Sequence, residues 1–256
     1  MPFCLINVEL SNSKLRASCT GLACGTFLLS SLYGFAAGPT PGVGERKVIE
    51  QVSPPWGSVG QVNVAGYRRR VECTGSLIAA NVVLTAAHCV MDPINRKPFP
   101  VDEIHFLAGV RGSKWLGHST AKCLHFPADY DFGAQSFSKD FALITLNDGF
   151  NDVAPSDLDR TDAAGPNISL IYAAYPADRR YVLTAQFGCH LITQTQSFWL
   201  TDCDARPASS GGPVFIQRND GLKLAAIMVA TGPSGSVAVP IASSIDILAA
   251  RNCTSR

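Results

Sequence analysis

Charge of either sign is scarce in this sequence. Charged residues make up 16% of the 256 residues, and 21 basic against 20 acidic side chains give a formal net charge of +1. A near-neutral balance gives no electrostatic reason to expect nucleic acid as a partner. Hydrophobic residues make up 46% of the chain, which is enough for a core and argues against general disorder. The composition therefore predicts a folded globular protein.

Internal repeats, low-complexity tracts and extended helical periodicity are also lacking. From residue 54 onward, short apolar runs alternate with turn residues, as expected for a chain with 22 glycines and 16 prolines. The runs at 75–79, 82–86, 104–110, 141–146, 168–172, 181–186, 213–216, 222–230 and 236–240 are interpreted as strands. Only residues 242–251 space their apolar side chains as a short helix does. The pattern favours an all-β fold with a short C-terminal helix.

A sizeable apolar stretch occurs near the N-terminus. Lys14 and Arg16 precede a run that ends in small residues at Ala36 and Ala37. A basic flank, an apolar run and a small-residue end are typical of a secretory signal peptide. We therefore predict a signal peptide at 1–37, a lead-in or short propeptide at 38–53, and a secreted or periplasmic protein with no stable membrane association after signal removal.

Cysteine usage agrees with export. Removing the predicted signal peptide leaves six of the nine cysteines, an even number suited to an oxidising compartment. Six cysteines allow fifteen pairings, so spacing does not choose between them. None of the six stands in a C-x-x-C arrangement, which argues against zinc. We expect no metal and no cofactor.

Three segments carry residues suited to nucleophilic catalysis. His88 stands in Thr-Ala-Ala-His-Cys, Asp140 opens an apolar run, and Ser210 precedes Gly-Gly-Pro. A serine hydroxyl needs an adjacent base, and histidine titrates near the working pH. A buried carboxylate would orient the imidazole, and a tightly turning backbone would aim N–H groups at a developing oxyanion.

Each segment alone has an ordinary structural interpretation, such as a core histidine, a strand-start aspartate or a glycine-rich loop. Their combination and order are much more specific. Asp129 and Asp131 are rival candidates for the acid, but Asp140 is preferred because it opens an apolar strand. The G-x-S-x-G elbow of α/β-hydrolases is absent, which argues against an esterase of that type.

Together these segments resemble the trypsin/chymotrypsin-like serine proteases over nearly the whole chain from residue 54. Finer features, such as Pro55-Trp56-Gly-Ser-Val-Gly, look more like the bacterial secreted glutamyl-endopeptidase branch. The resemblance implies two antiparallel six-stranded β-barrels at 54–150 and 151–256, with the active site between them and the terminal helix in the second part. It also implies a serine endopeptidase that takes polypeptide substrates, and we expect a monomer.

The resemblance assigns roles to individual residues. His88 would be the general base, Asp140 its orienting carboxylate and Ser210 the nucleophile, with the N–H groups of Ala208 and Ser210 as the oxyanion hole. It implies a Cys73–Cys89 disulfide. Cys189–Cys203 is expected because both lie near the active-site loop, and Cys123–Cys253 then remains by elimination.

Two residues beside the serine depart from the family pattern. Ala208 stands where the family has glycine, and a Cβ can penalise the backbone turn that aims the N–H group at the oxyanion. Ser209 replaces the aspartate that pairs with a freed N-terminus in the digestive enzymes, so we expect no activation switch of that type. The alternative hypothesis is a catalytically inactive, peptide-binding relative.

Substrate preference stays open at the level of sequence. The resemblance implies a pocket lined by Asp204, Val229, Ala230 and Thr231. Asp204 lies six residues before Ser210, where trypsin-like enzymes place the acid that binds Lys or Arg, although it could instead be structural. No histidine occurs in the segment 227–230, which argues against glutamate preference.

Overall fold

Short strands dominate the computed structural model, which describes residues 44–66, 69–127, 129–132, 137–161, 165, 168–244 and 253. These residues all belong to one unit, Pro39–Arg256. Among them, no helix is long and apolar enough to cross a membrane. The predicted signal peptide at 1–37 lies outside the described residues. So does most of the predicted terminal helix, whose first residues fall in the 3-10 helix Ile241–Ser244.

Sixteen strands are described. In chain order they are β1 (Arg46–Val48), β2 (Val59–Gly66), β3 (Arg69–Ala79), β4 (Val82–Thr85), β5 (Met91–Asp92), β6 (Lys97–Pro98), β7 (Ile104–Ala108), β8 (Gly117–His125), β9 (Ala142–Leu146), β10 (Leu170–Ala174), β11 (Thr184–Cys189), β12 (Leu191–Gln194), β13 (Trp199–Thr201), β14 (Pro213–Arg218), β15 (Gly221–Gly232) and β16 (Gly235–Pro240). Further 3-10 helices lie at Trp56–Ser58, Ala87–Val90, Val101–Glu103, Phe137–Lys139 and Ala177–Arg179.

The first half forms a closed barrel of six strands in the order β2-β3-β4-β9-β8-β7. Successive side chains of a strand point to opposite faces of the sheet, and β7 shows the resulting alternation. In β7, Ile104, Phe106 and Ala108 are buried, while His105 and Leu107 are partly exposed. The strands β4 and β9 are buried at every residue. The closed barrel itself has no edge strand.

The second half is one antiparallel sheet in the order β1-β11-β10-β14-β15-β16-β13-β12. The predicted all-β, chymotrypsin-like architecture is confirmed, but this sheet has eight strands where the sequence predicts six. One of the additional strands is β1, which comes from the predicted lead-in and pairs with β11. The predicted domain boundaries stay predictions. A continuous core contains side chains from both halves, including Val59, Phe106, Phe215 and Ile227.

Thr74 on β3 takes part in four hydrogen bonds, three of which link the two halves. Its N–H donates to the Ser210 carbonyl (2.8 Å), and its hydroxyl accepts from the Tyr175 N–H (3.0 Å). The same hydroxyl lies 3.4 Å from the Ala208 carbonyl, to which it donates. Its own carbonyl accepts from the Thr85 hydroxyl (2.7 Å). Because Thr74 and Tyr175 are buried, each broken bond would leave a polar group away from water.

Replacing Thr74 with valine should therefore destabilise the protein. Thr74→Val keeps the side-chain volume but strips the buried Tyr175 N–H of its acceptor, at an expected cost of about 1–3 kcal/mol in the free energy of unfolding. Denaturant unfolding followed by fluorescence measures the change.

Thr145→Val is the matched control. The Thr145 hydroxyl is buried and has no hydrogen-bond partner among the described residues, so its removal should be neutral or stabilising. Equal losses in the two variants would contradict the role given to Thr74.

Candidate active site

Strand register brings His88 and Asp140 together. The end of β4 meets the start of β9, with Thr85 opposite Ala142. His88 lies in the 3-10 helix that follows β4, and Asp140 lies two residues before β9. Segments that flank paired ends of antiparallel strands are neighbours, so the two motifs meet although they are 52 residues apart.

His88 and Asp140 form a two-point contact. The imidazole Nδ1 lies 2.7 Å from one carboxylate oxygen, and the His88 backbone N–H donates to the other oxygen at 2.9 Å. An Nδ1–H that donates to a carboxylate leaves Nε2 as the unprotonated nitrogen of the neutral ring. The Asp140 side chain is 10% exposed and that of His88 is 27% exposed, so the carboxylate is shielded and the imidazole is reachable.

Tyr130 is a further partner of Asp140. Burial, followed by the nearby Asp140 carboxylate, raises the pKa of Tyr130, so the phenol stays protonated beside that carboxylate. The rival acid Asp129 instead pairs with Lys139 at the surface. The carboxylate of Asp140 thus accepts two hydrogen bonds from His88 and has the Tyr130 phenol beside it.

Ser210 lies in the turn between Cys203 and β14, pressed against the first barrel. Its carbonyl accepts the Thr74 N–H, and the Cys89 sulfur lies 3.8 Å from the same oxygen. Thr74 and Cys89, which both contact this carbonyl, are held together by the Cys73–Cys89 disulfide, because Thr74 directly follows Cys73. Cys89 in turn directly follows His88. Ser210 therefore lies next to the segment that carries the histidine.

The backbone of this turn has left-handed conformations at two positions. Gly211 has φ +78°, and a Cβ there would stand 2.2 Å from the Thr74 carbonyl oxygen. Ala208 has φ +69° and is one of two non-glycine residues with positive φ in the described chain. A Cβ disfavours this region by roughly 1–2 kcal/mol. The Tyr172 hydroxyl, which donates to the Ser209 carbonyl at 3.1 Å, helps to hold the turn.

The two N–H groups on either side of Ser209 are unpaired within the part of the chain that the structure describes. The N–H groups of Ser209, Gly211 and Gly212 donate to the carbonyls of Arg206, Met228 and Ser209. Those of Ala208 and Ser210 have no protein acceptor there. A pair of unpaired donors beside a serine can stabilise a negatively charged oxygen.

Three disulfides join the six cysteines: Cys73–Cys89, Cys123–Cys253 and Cys189–Cys203. Three groups of possible metal ligands occur among the described residues, and each contains both cysteines of one disulfide. A metal binds the thiolate form, which a disulfide does not offer. These groups therefore do not favour a metal site.

The residues predicted to bind substrate divide between two cavities. Asp204 and Thr231 line a cavity of about 640 Å³ beside the β15–β16 hairpin. Val229 lines a cavity of about 260 Å³ together with His88, Tyr130 and Asp140. Ala230, the next residue of β15, is partly buried.

Sequence reasoning missed three residues of the site. Thr74 follows Cys73 of the expected Cys73–Cys89 disulfide, but nothing in its residue type indicates a contact with the serine turn. Tyr130 lies ten residues before Asp140 in a polar stretch, and no pattern marks it. Arg46 lies in the predicted lead-in, yet its guanidinium reaches Asp178, 132 residues away.

Comparisons with known proteins agree with this geometry. A solved structure described as Glu endopeptidase in complex with MPD superposes with a TM-score of 0.69 at 18% identity, over 80% of this chain and 96% of the other. A modular serine protease of Drosophila melanogaster is 29% identical over 86 residues, which are 31% of this chain and 14% of that protein. This chain thus spans a small part of that relative's length. The family model described as Trypsin matches residues 48–247. A match over most of its length shows that this chain belongs to the trypsin family of serine proteases.

Proposed function

We propose that this protein is a secreted or periplasmic serine endopeptidase that hydrolyses peptide bonds through His88, Asp140 and Ser210. The observation that carries the proposal is the pair of unpaired N–H groups at Ala208 and Ser210, next to a histidine held by a buried carboxylate. An oxyanion needs such donors in place before the reaction begins. Membership of the trypsin family supports the same chemistry.

The mechanism follows from the tautomer of His88. With Nδ1–H directed to Asp140, Nε2 takes the proton of the Ser210 hydroxyl as its oxygen attacks the peptide carbonyl carbon. The carbonyl π-electron pair moves to oxygen, where the N–H groups of Ala208 and Ser210 stabilise it. Collapse breaks the C–N bond, and His88 gives the proton to the leaving amine. Water then releases the acyl group from Ser210 by the same route.

The geometry at Ala208 favours an active enzyme over an inactive peptide-binding relative. That alternative arises from the alanine that replaces glycine. Ala208 adopts positive φ nevertheless, so the serine turn is made in spite of the Cβ. The hydrogen bonds of Thr74 and Tyr172 to this turn offset the strain.

The first test of the proposal is proteolysis. The protein should cleave casein, and mass spectrometry of the new termini should identify the cut sites. Asp140→Asn should lower the rate by about 10⁴-fold, because an amide in place of the carboxylate favours the wrong tautomer of His88. Asp129→Asn, which changes an exposed acid, should leave the rate near that of the unmodified protein. Equal rates for all three proteins, or no cleavage by the unmodified protein, would contradict the proposal.

A second prediction concerns the strained alanine. Ala208→Gly should relieve roughly 1–2 kcal/mol of backbone strain but add freedom to the unfolded chain worth about 0.4–1 kcal/mol. The net gain of about 1 kcal/mol or less should raise the melting temperature by up to about 2–4 °C. The value of kcat/KM should be unchanged or higher, because the turn keeps its conformation. Differential scanning calorimetry and peptide kinetics measure both quantities.

Ala205→Gly in the same loop is the control for that change. Ala205 is not among the residues with positive φ, so glycine there relieves no strain. It should add freedom to the unfolded chain at a cost of about 0.4–1 kcal/mol, and it also removes a methyl group that packs against the core. A stability loss or a fall in kcat/KM for Ala208→Gly would refute the assignment of strain to Ala208.

A further inference from the structure

The cavity of about 640 Å³ beside the serine turn is lined by charged residues of both signs. One wall is formed by Asp204 and Arg206, and another by the loop of the β15–β16 hairpin from Thr231 to Ser236. Residues 44–46, which lead into β1, form a third wall. Residues 44–46 of the predicted lead-in therefore line the same cavity as Asp204 and Thr231, two of the residues predicted to bind substrate.

Asp204 is already paired with two arginines. Arg206 contacts both carboxylate oxygens, with Nε at 2.7 Å from one and Nη2 at 2.9 Å from the other. Arg46 approaches from the other side, with its Nε at 3.4 Å. A planar guanidinium that contacts both oxygens of a carboxylate is a favoured and specific arrangement.

Arg46 is held firmly in this position. It lies opposite Gln186 in the β1–β11 register, and the Gln186 side chain accepts the Asp204 backbone N–H at 2.6 Å. On its far side Arg46 donates to Asp178 at 2.7 Å, and only 14% of its side chain is exposed. This hydrogen bond raises the pKa of Arg46 and lowers the pKa of the Asp178 carboxyl, so both groups stay charged.

We propose that Arg46 and Arg206 mask Asp204, so that the cavity accepts an uncharged residue before the cut and rejects Lys and Arg. A basic side chain would bring a third positive charge to a carboxylate whose oxygens are engaged. The cavity also has no net positive charge that would attract an acidic side chain. Three basic and three acidic residues line it: Arg46, Arg179, Arg206, Glu45, Asp202 and Asp204. Moving a charged side chain from water into the cavity without an opposite charge to pair it costs free energy and therefore opposes binding.

This inference rests on the proposed protease function and adds the substrate class. It also explains why an aspartate can stand six residues before the nucleophile without conferring basic specificity. Arg46, on a strand contributed by the predicted lead-in, becomes a specificity-determining residue.

Benzamidine, a small aromatic cation, tests the mask without requiring catalysis. Isothermal titration should detect no binding to the full chain or to Lys47→Ala, whose changed residue is the exposed neighbour of Arg46 on β1. The double variant Arg46→Ala/Arg206→Ala should bind benzamidine with a Kd at least about tenfold below the weakest Kd that the titration can detect, because it frees the Asp204 carboxylate. Adding Asp204→Asn to the double variant should abolish that gain. Tight binding to the unmodified protein, or no gain in the double variant, would overturn the proposal.

Peptide hydrolysis tests the same inference in the active protein. A peptide series with Gln, Leu, Arg or Glu before the cut should give the lowest kcat/KM for Arg and Glu. The double variant should raise the ratio of kcat/KM for Arg over Gln by about tenfold, and Lys47→Ala should not. Intact mass confirms that residue 46 is present in each preparation. Preferred cleavage after Arg by the unmodified protein would overturn the proposal that Asp204 is masked. Failure to hydrolyse any of the peptides would instead overturn the proposed protease function. In that case the benzamidine titration would still test whether Asp204 is masked.

Discussion

The hydrogen bonds of Thr74 are the constraint on which the active site depends. One buried side chain and its peptide groups contact the serine turn, Tyr175 of the second half and Thr85 of the histidine motif. The cost of leaving these groups unpaired in the core fixes the serine turn against the first barrel. The Cys73–Cys89 disulfide begins at the preceding residue and ends next to His88. The same short stretch of β3 therefore sets the positions of Ser210, the proposed nucleophile, and His88, the proposed base.

The turn that carries Ser210 combines strain with unpaired donors. Left-handed backbone at Ala208 and Gly211 bends the chain, and the surrounding hydrogen bonds hold it bent. The bend leaves the Ala208 and Ser210 N–H groups without acceptors among the described residues. The two unpaired N–H groups and the strained Ala208 are both unfavourable for stability. A site that stabilises a transient oxyanion nevertheless needs N–H donors that are already oriented before the reaction. Function and stability conflict here, and Thr74 and Tyr172 limit the cost.

Local patterns predicted much of the fold and supplied the candidate site residues, whereas long-range contacts escaped prediction. Apolar runs identified the buried strands, including β4, β9, β14 and β15. The strand β8 was missed because the polar residues His118, Ser119, Thr120 and Lys122 leave it without an apolar run. The strand β1 was assigned to a lead-in because it is short, contains Arg46 and Lys47, and lies in a stretch rich in glycine, proline and charge. It is a strand because it pairs with β11. Thr74, Tyr130 and Arg46 act through tertiary contacts, which no local pattern encodes.

Reaction with a fluorophosphonate probe tests the central claim most directly, because only an activated serine displaces fluoride from phosphorus. The account predicts a single covalent label on Ser210 of the folded, processed protein, located by mass spectrometry, and no label on Ser210→Ala. A folded protein with intact disulfides that resists the probe, or a label that persists in Ser210→Ala, would contradict the account.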